Sequence, residues 1–182
     1  GSRLAGPTRA LSRTMSKLRL LICDTLVHEV RSVVETEGFD QVEVAAYPAL
    51  CGSHATASEV LHQKVHSGPP DGRTCLMGCC AVERVDRQGH DDVELATTSR
   101  CFDLLLDSRV VDALVSEGCN LVTPGWLVRW RERLTSWGFD REMAQEFYAA
   151  AAEKIVLLDT GTDPSSPEIL RAFADYVGLP YE

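Results

Sequence analysis

The sequence has no long apolar run. Its longest apolar stretches, near Leu18 to Ile22 and Ile155 to Leu158, have the length of a strand, whereas a helix that crosses a bilayer needs about 20 apolar residues. A secretory signal is also missing, because no apolar core follows the basic segment 3–14. We therefore expect a soluble protein of the cytoplasm.

The sequence is also short of basic residues and of glycine motifs that bind phosphate. It has 18 Lys and Arg against 27 Asp and Glu, a net charge of -9, which disfavours binding to a nucleic-acid backbone. The 13 glycines form neither a GxGxxG nor a Walker A pattern. Neither nucleic-acid nor nucleotide binding is indicated.

The length of 182 residues suits one domain with a substantial core. We interpret residues 1–16 as a tag remnant, beginning Gly1-Ser2, and a flexible lead in which Met15 is an alternative start. Residues 17–182 are predicted to form a single α/β domain. The final GLPYE directly follows a predicted helix, which is compatible with a longer native chain.

Short apolar runs alternate with amphipathic stretches along the whole chain. This alternation predicts a three-layer, mostly parallel, Rossmann-like sheet of about six strands with helices on both faces. The predicted strands are residues 17–23, 42–48, 73–79, 93–99, 119–125 and 154–161, and the predicted helices are 25–38, 53–68, 101–118, 126–138, 140–153 and 166–178.

The chain does contain seven cysteines, an odd number that cannot pair completely, and a reducing compartment disfavours disulfides. Thiols follow the ends of four successive predicted strands, whose carboxyl ends share the edge where open α/β folds bind ligands. We therefore expect them to meet in space. Each has the alternative of plain packing, since free cysteine behaves as a small hydrophobe. The edge cysteines are Cys23, Cys51, Cys79, Cys80 and Cys101, while Cys75 and Cys119 are interpreted as packing residues.

Several thiols at one edge indicate a metal site. Three thiolates with an open position suit a catalytic or sensing zinc, or an iron–sulfur cluster with one non-cysteine ligand. The sequence has no CxxC pair, which would be a stronger signal. His28 and His54, at the starts of the first two helices, are candidates to complete the site. A bare nucleophile is the rival interpretation, with the pKa of Cys101 lowered at a helix N-terminus.

The stretch LVTPGWLVRW (121–130) is the second unusual feature. Pro124 fixes φ and Gly125 permits positive φ, so the strand is expected to end in a sharp turn. This turn carries Thr123 and Trp126 at the predicted ligand edge. Trp126 is then either a wall for a bound ligand or a packing residue of an amphipathic helix.

Aspartates follow two of the predicted strands. Asp159, in the segment DTG, either contacts a ligand or a metal-bound water, or caps its own turn. Asp24, next to Cys23, has the same two interpretations.

The ordered set of these motifs resembles an uncharacterised bacterial and archaeal family, a domain of unknown function marked by a TPGW turn. The marks in this chain are Cys23, GCCA (78–81), Arg100-Cys101, TPGW (123–126) and DTG (159–161), over most of residues 17–180. The resemblance makes Cys23, Cys80 and Cys101 the family cysteines, with Cys51 and Cys79 particular to this chain. Ala81 replaces an expected glycine, and Arg100 replaces an expected aspartate, which puts a cation beside Cys101.

The family is found near corrinoid-dependent methyltransferases or in front of sensor kinases, so the resemblance implies a role in one-carbon metabolism or in sensing. Our leading hypothesis is a metal-binding domain that binds or senses a small molecule or redox state. Its ligands to zinc or an iron–sulfur cluster are Cys23, Cys80 and Cys101. Thr123, Trp126 and Asp159 shape the pocket, while alternation along the third strand turns Cys79 away.

The alternative hypothesis is an accessory factor or enzyme in corrinoid-dependent methyl transfer. Its partners are a corrinoid protein, a methyltransferase or an attached kinase module. A cysteine-nucleophile enzyme is a third hypothesis.

Overall fold

The computed structural model describes residues 17–49, 51, 55–68, 72–81 and 93–182. The segment 1–16, which we interpreted as a tag remnant and flexible lead, lies outside these residues. His54, a candidate ligand, also lies outside them.

Strands and helices alternate along the described chain, and the α/β class is confirmed. The strands are β1 (Leu18–Cys23), β2 (Val42–Tyr47), β3 (Arg73–Met77), β4 (Val93–Ala96), β5 (Cys119–Val122) and β6 (Lys154–Leu157). The helices are α1 (Val27–Thr36), α2 (Ala55–His66), α3 (Ser108–Ser116), α4 (Pro124–Leu127), α5 (Trp130–Ser136), α6 (Arg141–Ala151) and α7 (Ser166–Val177), with a 3-10 turn at Cys101–Leu104.

The described strands form two parallel sheets instead of the single six-stranded sheet that we expected. One sheet has the order β2-β1-β3-β4, and the other pairs β5 with β6. Every pairing is parallel, with β1 aligned to β2 over its full length. The apolar runs predict strands because they are a local signal. The pairing of one strand with another depends on contacts between distant parts of the chain, which the local pattern does not contain.

Each sheet has its own apolar core. Leu21, Leu61 and Leu76 are fully buried beside the four-stranded sheet. Phe173 of α7 is fully buried in the second core, where its ring centroid lies 5.0 Å from that of Trp126 and 5.4 Å from those of Trp130 and Tyr148. The second core thereby fixes the aromatic side chains that follow the TPGW turn.

Two predicted helices are broken. The predicted helix 101–118 is a 3-10 turn followed by α3, because the Asp107 side chain accepts a hydrogen bond from the Arg109 amide and starts a new helix. The predicted helix 126–138 begins earlier, at Pro124, and is divided into α4 and α5. None of the helices in the described ranges is long and apolar enough to cross a membrane.

Candidate functional site

The carboxyl edge of the four-stranded sheet brings four thiols into contact. Cys51 Sγ lies 3.7 Å from Cys80 Sγ, Cys80 Sγ lies 3.3 Å from Cys79 Sγ, and Cys79 Sγ lies 3.4 Å from Cys101 Sγ. We call these four residues, in the order Cys51, Cys80, Cys79 and Cys101, the thiol row. All of them are free cysteines. Sequence reasoning predicted the meeting of thiols at this edge but treated Cys79 as facing away.

The turn after β3 explains why both adjacent cysteines face the row. Gly78 has a φ of 140°, so the extended alternation of β3 ends there. A Cβ at this position would collide with the Tyr47 hydroxyl, and that hydroxyl donates a 2.8 Å hydrogen bond to the Met77 carbonyl. The Gly78 amide donates to the Ala96 carbonyl at 3.1 Å. The turn is therefore fixed between β2 and β4 with its cysteines at the edge.

Cys23 lies beside the thiol row. Its buried Sγ accepts a 3.1 Å hydrogen bond from Thr25 Oγ1 and lies 3.8 Å from Asp24 Oδ1. Burial raises the pKa of Cys23 to about 11. The hydrogen bonds from Thr25 lower this pKa, whereas charges on Asp24 and Cys51 add to the rise. In this structure Cys23 is thus near Cys51 and held by its own loop.

Two thiols of the row, those of Cys80 and Cys101, have a raised pKa. Burial raises the pKa of Cys80 to about 12, with a further rise from its hydrogen bond with Cys79. Burial and the contact with Cys79 also raise the pKa of Cys101. The expected lowering of the Cys101 pKa is therefore wrong: Cys101 begins only a short 3-10 turn, and the Arg100 guanidinium pairs with Asp112.

A cavity of about 560 Å³ lies against the thiol row. Its walls come from residues that follow both sheets, because thiols at the edge of the four-stranded sheet line one side and residues of the TPGW turn and beyond line the other. The lining includes Cys51, Cys79 and Cys101 on the first side, Asp24 between the two, and Thr123, Trp126, Arg129, Arg133 and Trp137 on the second.

Asp24 joins the two sides of the cavity. Its Oδ1 accepts from the Arg133 guanidinium at 3.0 Å and from the Ala49 amide at 3.1 Å, and its Oδ2 accepts from Arg129 at 2.8 Å. Sequence reasoning noticed Asp24 but missed both arginines. Their i, i+4 spacing within the predicted helix 126–138, directly after the turn, is the signal that would have found them.

The TPGW turn docks onto the loop that follows β1. Thr123 Oγ1 donates to the Thr25 carbonyl at 2.9 Å and accepts from the Trp126 amide at 3.2 Å. The Gly125 amide donates to Glu29 Oε1 at 3.1 Å. A Cβ on Gly125 would lie 2.7 Å from the Thr25 carbonyl oxygen. Gly125 is not among the positive-φ glycines, so our conformational explanation for it was wrong: the close approach of two backbones requires the glycine.

Only some of the predicted pocket residues line the cavity. Thr123 and Trp126 line the cavity. Asp159 is exposed, accepts a 2.9 Å hydrogen bond from the Gly161 amide, and does not line this cavity. His28 is exposed and lies within electrostatic range of Asp163. The structure therefore brings Cys80, Cys101, Thr123 and Trp126 into one region, without Asp159 or His28.

The donor atoms of the row suit a soft metal by type and by spacing. Two thiolates on one tetrahedral zinc ion, with Zn–S bonds of about 2.3 Å, lie roughly 3.8 Å apart, close to the observed contacts of 3.3, 3.4 and 3.7 Å. The sulfurs form a row and not a shell, and in the described part of the chain no three or more His, Cys, Asp or Glu side chains are grouped as a metal site. Rotation of the cysteines about χ1 is needed to converge them on one centre.

The resemblance to the uncharacterised family, with corrinoid methyltransferases or sensor kinases as partners, stays a prediction after comparison with known proteins. The chain matches no protein-family model, and neither a curated protein nor a solved structure matches it.

Proposed function

We propose that this chain is a cytoplasmic zinc-binding domain that binds a small molecule in its thiol-lined cavity. Cys79, Cys80 and Cys101 would hold the metal as thiolates and leave one coordination position for a ligand. The observation that carries the proposal is the continuous contact from Cys80 through Cys79 to Cys101, with Cys79 and Cys101 exposed to the cavity.

The spacing of the thiols favours zinc over an iron–sulfur cluster. Thiolates on a single zinc ion lie close together, whereas in a [4Fe–4S] cluster each thiolate binds its own iron atom and the sulfurs are farther apart. This proposal keeps the predicted roles of Cys80 and Cys101. It replaces Cys23 by Cys79, because Cys23 is engaged by Thr25.

The remaining lining residues indicate the kind of molecule that the cavity takes. Trp126 and Trp137 provide apolar surface, and Arg129 and Arg133 provide N–H donors whose position Asp24 fixes. A mostly apolar cavity with a few convergent polar groups is typical of small-molecule sites. When bound, zinc polarises the donor atom of a ligand. We therefore expect a ligand with a nitrogen or sulfur donor at one end and a hydrogen-bond acceptor at the other.

Metal analysis of protein purified without oxygen tests the metal centre. We expect about one zinc per chain in the wild type and a large loss in Cys79→Ser and Cys80→Ser. Cys75→Ser is the matched control, because Cys75 lies within β3 and outside the row. Equal zinc in all four proteins, or none in any, would sink the proposal. A brown sample that contains iron and sulfide would replace zinc by a cluster.

Substitution of the zinc by cobalt tests the open position. Thiolate-bound cobalt absorbs visible light. We expect imidazole, used as a probe, to change that absorption spectrum until the change reaches a limit at high imidazole concentration. Trp126→Phe should weaken the response, because Trp126 lines the cavity. If the wild type fails to respond while Cys51→Ser responds, Cys51 fills the fourth position and the site is structural.

A further inference from the structure

We infer that the thiol row is also an oxidation site that forms two disulfides in one fixed pairing, Cys51 with Cys80 and Cys79 with Cys101. The pairing is argued from the geometry of the row alone. Only its effect on a bound metal rests on the function proposed above.

The order of the row defines the pairing. Each inner thiol, Cys80 or Cys79, contacts one end of the row as well as its inner neighbour. All four thiols can pair only if each inner thiol joins the end beside it. The distances of 3.7 and 3.4 Å must shorten by roughly 1.4 to 1.7 Å to reach the S–S bond length. Rotation about χ1 is the movement that the pairing requires.

The competing bond joins Cys79 to Cys80, whose sulfurs are the closest pair at 3.3 Å. A disulfide between adjacent residues closes a small ring that contains their peptide bond. Such a ring strains a planar trans peptide, and departures from planarity are costly. It would also leave Cys51 and Cys101 without partners.

An oxidant can reach both pairs. Cys51 is exposed, so an oxidant can reach the first pair from the surface. Cys79 and Cys101 line the cavity, so an oxidant can reach the second pair through it. Cys23 and Cys119 are buried and Cys75 lies within β3, so these three are expected to stay reduced.

The oxidant class that suits this site is a hydroperoxide. A thiol releases its proton, the thiolate attacks one oxygen of hydrogen peroxide, and the O–O bond breaks. The sulfur becomes a sulfenic acid, and the departing hydroxide takes up the released proton as water. The neighbouring thiol then attacks the sulfenic sulfur, the S–O bond breaks, and its proton leaves with the hydroxide as water. Each pair gives two electrons to one hydrogen peroxide, so two peroxides oxidise the row.

Oxidation would release a metal from the row. Disulfide sulfur is no longer a thiolate, and the thiolate is the species that binds metal. Because Cys79, Cys80 and Cys101 all belong to the two pairs, complete oxidation removes every proposed ligand. A zinc-bound, reduced form and a metal-free, cross-linked form would then interconvert with the redox state.

Thiol counting on metal-free protein tests the pairing. After chelation, treatment with hydrogen peroxide and denaturation, we expect Ellman's reagent to find three of the seven thiols, with full recovery on reduction. Cys51→Ser and Cys101→Ser should each form only one disulfide and keep four free thiols. Cys75→Ser should form both disulfides and keep two free thiols.

Other outcomes would overturn the inference. A Cys79–Cys80 bond in the wild type, or loss of four thiols in Cys101→Ser, contradicts the pairing. Unchanged thiol counts, or losses that reduction does not reverse, contradict a disulfide site. Circular dichroism confirms that each variant is folded before it is counted.

A zinc-loaded sample separates the two proposals. If a chromophoric chelator detects zinc in step with thiol loss, the coupling of redox state to metal holds. If fresh protein contains no zinc but the metal-free protein forms both pairs, the proposed function fails and the pairing stands. If zinc binds but the pairs do not form, only the pairing fails.

Discussion

At the scale of single residues, the polar contacts around the cavity converge on Asp24. The Asp24 and Arg133 side chains are 14% and 10% exposed, so water screens their attraction weakly. Arg133 Nε is buried without a hydrogen-bond partner among the described residues. The Asp24 carboxylate is therefore the group that compensates this guanidinium.

We expect Asp24→Asn to lower the free energy of unfolding by about 3 kcal/mol, because it leaves a largely buried cation without its counter-charge. Urea unfolding measures the loss. Glu132→Gln is the control: it breaks the ion pair of Glu132 with Arg129, whose side chains are 67% and 50% exposed, and should cost about 0.5 kcal/mol or less. Equal losses in the two variants would mean that Asp24 acts as an ordinary surface charge.

Gly125→Ala should destabilise the protein by about 1 to 3 kcal/mol, because its Cβ overlaps a backbone carbonyl that cannot rotate away. The control is Gly68→Ala, whose Cβ would lie 2.8 Å from the Thr74 hydroxyl, a group that turns about χ1. Chemical denaturation should rank Gly125→Ala as the more costly change. The reverse ranking would contradict the close approach of the TPGW turn to Thr25.

At the scale of elements, α7 holds the aromatic cluster behind the cavity wall. Phe173 has no exposed surface and packs against the ring of Trp126. Trp126 therefore has both of the roles that the sequence left open, since it lines the cavity and packs in the core. The break before α3 was missed because it depends on the capping contact of Asp107, while the apolar periodicity continues across it. The break between α4 and α5 falls at Arg129, which makes no side-chain cap hydrogen bond, so the sequence carries no capping signal there.

Phe173→Ala should cost about 3 to 5 kcal/mol, because it leaves a cavity among rings that cannot collapse into it. Trp126 loses its ring contact at the same time, so the tryptophan fluorescence should shift to the red. Phe147, on α6, is 48% exposed, and Phe147→Ala should cost about 1 kcal/mol or less. Thermal unfolding with fluorescence detection compares the two, and a larger loss for Phe147→Ala would contradict the assignment of the core.

At the scale of the whole molecule, local sequence signals predicted the α/β class and the edge at which the thiols meet. They did not predict the division into two sheets, because strand pairing is not a local property. They also misplaced Cys79, since strand alternation was extended past Gly78, where the backbone leaves the strand. Asp159 looked like Asp24 in the sequence, yet the structure gives the cavity contact to Asp24 and a local turn to Asp159.

Stability at high pH should depend on Tyr148. Burial raises its pKa from 10.0 to about 12, so the unfolded phenol ionises first and its contribution to stability is lost as the pH rises from about 10 to 12. Over that interval we expect the free energy of unfolding of Tyr148→Phe, which keeps the ring, to fall by up to about 2 kcal/mol less than that of the wild type. Urea midpoints measured across this pH range test it, and parallel curves would contradict the burial of an un-ionised phenol.

The hydrogen bond from the Gly125 amide to Glu29 connects the end of β5 to the helix that follows β1. A buried amide exchanges its hydrogen with solvent only when its contact opens, so the exchange rate of the Gly125 amide reports how often the turn after β5 separates from α1. The cavity lies between the residues that follow β1 and those that follow β5. A molecule that binds both walls therefore slows deuterium uptake at Gly125 while amides deep in either core keep their rates.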